Sequence, residues 1–250
     1  MGRLVRLRQP PSPEEPLASV LAEFAANSQA PDADGGALWA AFSDRERGGC
    51  SCRELLLKTL VVCSSGRCCY CEFGEPTSVE HFWPKTSYPA NAFSIRNLMP
   101  VCVKCNGVKG ARFPLDAADR PVLLDLYEPA DDPVAFLAYT EQGGVGARRP
   151  GPDGARADKT IAATRLERQW LADRRKATRI GLVAACAAYS DSPSAATAEL
   201  LCGFLTEPLY HRGVIRYLLG TDTTVRQAVH DAASTHLCVA EALAKPPYTW

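Results

Sequence analysis

The sequence predicts an α+β protein, predominantly helical, with one small strand–strand–helix unit set into it. Three observations carry that reading. From about residue 158 onward apolar side chains recur at helical spacing. Two CxxC pairs, Cys68/Cys71 and Cys102/Cys105, bracket a segment with two short β-prone runs, VEHFW (79–83) and LMPV (98–101). The chain is 250 residues long, 46% hydrophobic and 22% charged, enough for one large domain or two small ones with a core.

In chain order, residues 1–16 hold four prolines and several charges and read as an extended arm. Leu17, Val20, Leu21 and Phe24 share one face of a helix over 17–28. PDADGG (31–36) is a loop, Trp39 and Phe42 mark a short helix, GGCSC is a break, and RELLLKTLVV (53–62) is a helix leading into the first cysteine pair. Pro84, Pro89 and Asn91 make the stretch after VEHFW a loop. CNGVK starts a short helix that Gly110 closes. Residues 113–155 are loop-rich, with VLLDLYEP and VAFLAYT as strand candidates. Beyond them KTIAATRLERQWLADRRKATRIGLVAACAAYS carries an apolar stripe at 161, 166, 170, 180 and 183. AATAELLCGFL, HRGVIRYLL and VRQAVHDAASTHLCVAEAL read as further helices. The expected organisation is an arm with short helices (1–50), the cysteine-bounded module (51–113), and a loop-rich connector with a helical C-terminal region (114–250).

Several classes are disfavoured. Net charge is zero, so a basic nucleic-acid surface must be local. Eleven cysteines is an odd number in a chain of this size, which suits reduced thiols in a cytoplasmic protein better than a secreted disulfide scaffold. The N-terminus lacks the apolar run of a signal peptide, and no stretch of about 18 apolar residues predicts a membrane span.

Thiolates bind Zn2+ tetrahedrally, and two residues between cysteines let both sulfurs reach one ion. Cys68, Cys71, Cys102 and Cys105 therefore predict a closed, structural Zn2+ site. Cys69 is an alternative ligand within CCYC. Cys50 and Cys52 form a separate CxC read as ordinary thiols, and Cys63, Cys186, Cys202 and Cys238 fall in apolar helical contexts.

The residues between and beside the pairs have the types that phosphodiester hydrolysis requires. His81 titrates near neutrality and is the natural base. Glu80 and Asn106 offer oxygen ligands to a hard cation, Mg2+ or Mn2+. Asn97 holds the loop or orients the imidazole, and Lys109, three residues after Asn106, is placed to contact a phosphate. Alternation along a regular strand points Glu80 and His81 to opposite faces, so a shared site needs the strand to end or bend there.

The strings CCYCE, VEHFWPK, NLMPVC and CNGVK, over residues 68–109, together resemble the HNH nuclease family with its ββα-metal fold. That resemblance implies Glu80 as a metal ligand, His81 as general base, Asn97 as its brace and Asn106 as the second metal ligand on the helix. Many members carry Asp where this chain has Glu80 and His where it has Asn106. More narrowly, the flanking residues resemble the PtuB-like HNH nucleases of bacterial anti-phage systems. This implies DNA or RNA as substrate and an ABC-type ATPase as partner. The alternative is a non-catalytic zinc module that binds nucleic acid or protein. The basic run at 156–179 has two readings of equal weight, a nucleic-acid track or a solvated or docking face. His211, His230 and His236 receive no chemical role.

Overall fold

The computed structural model describes residues 12–206 and 211–244, so most of the expected N-terminal arm lies outside the described residues. The fold is α+β and predominantly helical. Three helices open it: α1 (Leu17–Asn27), α2 (Gly35–Asp44) and α3 (Cys52–Val61). Asp34 caps α2 by accepting from the Gly36 and Ala37 amides, and Ser51 and Glu54 form a reciprocal capping box on α3. Between α2 and α3 a two-residue hairpin, β1 (Glu46–Arg47) with β2 (Cys50–Ser51), turns through Gly48 and Gly49, both at positive φ.

Next come β3 (Ser78–His81) and β4 (Leu98–Val101), an antiparallel pair with Glu80 opposite Met99 and His81 opposite Leu98. Helix α4 (Val103–Lys109) follows directly and ends at Gly110, whose φ is +51°. The strand–loop–strand–helix order matches the sequence reading. The pair β3–β4 separates two cores. Val79 and Leu98 pack with Leu56, Leu60, Phe24, Phe42 and Phe93 of the first core. Met99 and Val101 pack with the cysteine cluster and with Leu123, Leu124 and Leu126 in the second.

VLLDLYEP is not a strand. Its amides are taken by side chains instead of a ladder: Leu124 N donates to Thr160 Oγ1, Asp125 N to Asp131 Oδ2, and Tyr127 N to Asp125 Oδ1. VAFLAYT divides into a helical turn, α5 (Pro133–Phe136), and a strand, β5 (Leu137–Tyr139). That strand pairs with β6 (Val145–Ala147) inside the stretch read as loop.

The long helical run is two helices, α6 (Pro152–Thr164) and α7 (Gln169–Asp191), broken where Arg165 takes a left-handed conformation. The expected stripe holds at Ile161, Leu166 and Trp170 but not at Ile180 and Val183, which are exposed while Leu171, Arg175, Thr178, Leu182 and Cys186 face inward. Helices α8 (Ala195–Thr206), α9 (Arg212–Thr221), α10 (Thr223–Thr235) and α11 (Leu237–Ala244) complete a third core with α7. The last expected helix is split at His236, which caps α10 in extended backbone.

Candidate metal centre

The first knuckle hangs between α3 and β3. Cys68 N donates to Gly74 O and Glu72 N to Cys68 O, with Glu72 at φ +56°, so residues 68–74 form a tight turn. Cys69 N donates to Pro100 O and ties that turn to β4. The second knuckle is the start of α4, where Asn106 N donates to Cys102 O. The four sulfurs of Cys68, Cys71, Cys102 and Cys105 lie within 4.8 Å of one another. Gly74 belongs to this packing, since a Cβ there would stand 2.8 Å from Cys102 Cβ and 3.0 Å from its sulfur. Its amide donates to Cys71 Sγ at 3.3 Å.

The cluster fits a Zn2+ ion: four soft donors in one place, largely buried, with a backbone N–H already aimed at one sulfur. Cys69 is not in the cluster, and burial pushes its thiol well up, so it is an inert core thiol. Among the described residues, Cys50, Cys52, Cys63, Cys186, Cys202 and Cys238 also lie outside it.

The neighbouring oxygen-donor residues divide by strand parity. On the face of β3 toward α4, Asn106 Nδ2 donates to Ser78 Oγ at 2.6 Å and Val79 O at 3.1 Å, which leaves the amide oxygen for a cation. One turn later Lys109 Nζ sits 2.5 Å from Glu80 Oε1. It also donates to His81 O at 2.9 Å and Phe82 O at 3.2 Å. Lys109 is 1% exposed. In the described conformation its charge faces a buried carboxylate. Burial raises the Glu80 carboxyl to about 7, with Lys109 opposing the rise.

His81 is on the other face, its ring 4.4 Å from that of Trp39 on α2. Strand β3 ends at His81, yet the imidazole stays on the Trp39 side, opposite Glu80. Nε2 lies 3.1 Å from Ala92 O. A carbonyl only accepts, so Nε2 carries the proton and Nδ1 the lone pair. Burial, then the charge of Lys85, lowers the imidazole to about 3, so the ring is neutral near pH 7. Asn97 holds the loop and not the ring. Its Oδ1 accepts from Trp83 N at 2.6 Å and its Nδ2 donates to Trp83 O and Asn91 O, stapling both ends of the segment that presents Ala92.

As an oxygen-ligated site the arrangement fits a divalent cation in donor chemistry, with Glu80 and Asn106 on one face. In the described conformation, however, an ammonium already neutralises the carboxylate.

Two contacts at the cysteine cluster have no counterpart in the sequence reading. Glu72, next to Cys71, lies 3.1 Å from His211 Nδ1 and accepts from Gly213 N at the start of α9. Arg168 Nη2 donates to Cys105 Sγ at 3.3 Å. The basic run divides, with Lys159, Arg165, Arg174 and Lys176 exposed and the others drawn into contacts within the chain. Arg156 pairs with Asp131, Arg165 with Glu167, Arg179 with Glu141, Arg175 donates to Gly143 O, and Arg168 serves the cysteine cluster. Among the described residues, no helix is long and apolar enough to cross a membrane.

No family model matches the chain. Over 89 residues it is 32% identical to the Septu protein PtuB of Bacillus thuringiensis. The match takes in 34% of this chain and 34% of that protein, so the chain spans about a third of the length of the curated relative it matches.

Proposed function

We propose that the chain is an HNH-type endonuclease subunit of an anti-phage defence system, hydrolysing phosphodiester bonds in DNA or RNA alongside an ABC-type ATPase. One observation carries the reading. The motif strings between the cysteine pairs fold as β3, β4 and α4, with Glu80 and Asn106 together on the face of β3 that α4 covers. Partial identity to the Septu protein PtuB supports the defence role and the ATPase partner.

Glu80 and Asn106 would hold the Mg2+ or Mn2+ ion. When bound, that ion supplies charge neutralisation at the scissile phosphate and the departing 3′ oxygen. Everything else falls to the protein. Lys109 must leave Glu80 before the carboxylate can serve a divalent cation. His81 would take a proton from water at Nδ1, which requires a rearrangement that brings this nitrogen toward the Glu80 face; in the described conformation the Ala92 carbonyl fixes its tautomer and Asn97 fixes the loop carrying Ala92. The four-cysteine zinc holds the module rigid.

A second reading has its own support. The Lys109–Glu80 pair and the buried, weakly basic imidazole on the opposite face suit a non-catalytic zinc module that binds nucleic acid or a partner protein. Cleavage assays on zinc-loaded protein, alone and with the ATPase, in Mg2+ or Mn2+ and on single- and double-stranded DNA and RNA, decide between them. Metal-dependent cutting that His81→Ala abolishes with zinc content unchanged supports the nuclease. Undiminished cutting by His81→Ala refutes it, and binding without cutting in every combination favours the zinc module.

A further inference from the structure

We infer that Arg168 belongs to the zinc centre as the hydrogen-bonded counter-charge of its thiolates, so that the C-terminal helices govern how tightly the metal is held. Four thiolates around one Zn2+ leave the cluster with two net negative charges in a largely buried place. Such charge is retained where positive or N–H groups point at the sulfurs. Gly74 N supplies one donor, to Cys71. Arg168 supplies the charged one, to Cys105 at 3.3 Å.

The position of Arg168 is fixed from both sides. It is the N-cap of α7, extended at ψ 134°, directly after the left-handed break at Arg165. Its guanidinium lies 5.6 Å from the centre of the Trp170 ring, and Lys104 of α4 lies 5.1 Å from the same ring. The break between α6 and α7, which interrupts an otherwise helical run, therefore delivers a cation to a sulfur 63 residues earlier in the chain. Arg168 is a positioning residue: it acts on the metal only through Cys105.

The test uses the full zinc-loaded chain and three substitutions: Arg168→Gln, Arg168→Lys and Arg165→Gln, the last an exposed control one turn away. Zinc transfer to a chromophoric chelator measures retention, and the thiolate-to-metal charge-transfer band of the Co2+-substituted protein reports the sulfurs directly. Losing an outer partner of a metal ligand costs about 10- to 100-fold in affinity. Arg168→Gln is expected to weaken retention by about that factor and move the cobalt band to lower energy. Arg168→Lys should fall between it and the wild type, and Arg165→Gln should match the wild type.

The band separates this role from packing on Trp170, because lost stacking leaves the sulfur electronics unchanged. Wild-type retention and an unmoved band in Arg168→Gln overturn the inference. If that variant does not fold, Arg168→Lys is decisive, and an unmoved band with wild-type retention there overturns it equally.

Discussion

Substituting Lys109 by Met isolates the least expected contact in the candidate site. The ammonium and the Glu80 carboxylate are 2.5 Å apart and at most 2% exposed. At an effective dielectric near 20 their attraction is about 7 kcal/mol before desolvation. Breaking such a pair from one side typically costs ~3–5 kcal/mol, because the survivor stays buried and charged. The survivor here can escape by taking a proton. Its carboxyl already sits at about 7 against an ordinary 4.5, a shift worth about 3 kcal/mol. A carboxyl raised in the fold contributes its stability below about pH 4.5 and loses it as pH climbs through about 7.

The loss on Lys109→Met should therefore depend on pH. Urea unfolding of the zinc-loaded protein is expected to show a deficit of ~3–5 kcal/mol at pH 8 and about 1 kcal/mol at pH 5, where Glu80 is protonated. The double substitution Glu80→Gln with Lys109→Met should recover most of the deficit at pH 8. Equal losses at both pH values, or no recovery in the double variant, would refute the argument. Arg45 and Glu23, an exposed pair at 2.6 Å, serve as the contrast, and removing Arg45 should shift the midpoint far less.

Gly74→Ala should lower bound zinc well below one per chain, measured by atomic emission, because its methyl would meet Cys102 at 2.8 Å. Asn97→Ala removes three hydrogen bonds within a buried loop anchor and should cost about 2–4 kcal/mol in chemical denaturation. His81, lowered to about 3 from 6.5, should stay neutral in an NMR titration down to about pH 4. Because the unfolded chain binds that proton more readily, stability should fall as pH drops from about 6.5 toward 3, by up to about 5 kcal/mol, and His81→Phe should flatten that slope.

The parts legible in the sequence were those set by spacing. CxxC pairs can only chelate locally, so the cluster of Cys68, Cys71, Cys102 and Cys105 was readable before any fold was known. The β3–β4–α4 order followed from short β-prone runs and glycine punctuation. Strand alternation set the condition for Glu80 and His81 to share a site, and the strand's end at His81 leaves them on opposite faces. What could not be read was the partner each side would find. Lys109 reads as a phosphate contact, since nothing local shows that α4 lies over Glu80. VLLDLYEP has strand-like residues, but its amides donate to Thr160 and Asp131 beyond it and to its own Asp125. The α7 stripe misled because Arg175 and Thr178, polar by type, face the core and spend their polar atoms on Gly143 O and Arg174 O, while Ile180 and Val183 face out.

The buried link from Glu72 to His211 and Gly213 bears on how the molecule assembles. Glu72 is made soon after the first cysteine pair, yet its acceptor oxygen is met by groups 139 to 141 positions later. During synthesis the early half must wait, with an acidic side chain next to its metal turn still in water, until the start of α9 has left the ribosome. Closure across so long a span is slow. A chain cut short before residue 211 would therefore keep its cysteines and still be left with an unsealed wall at the knuckle.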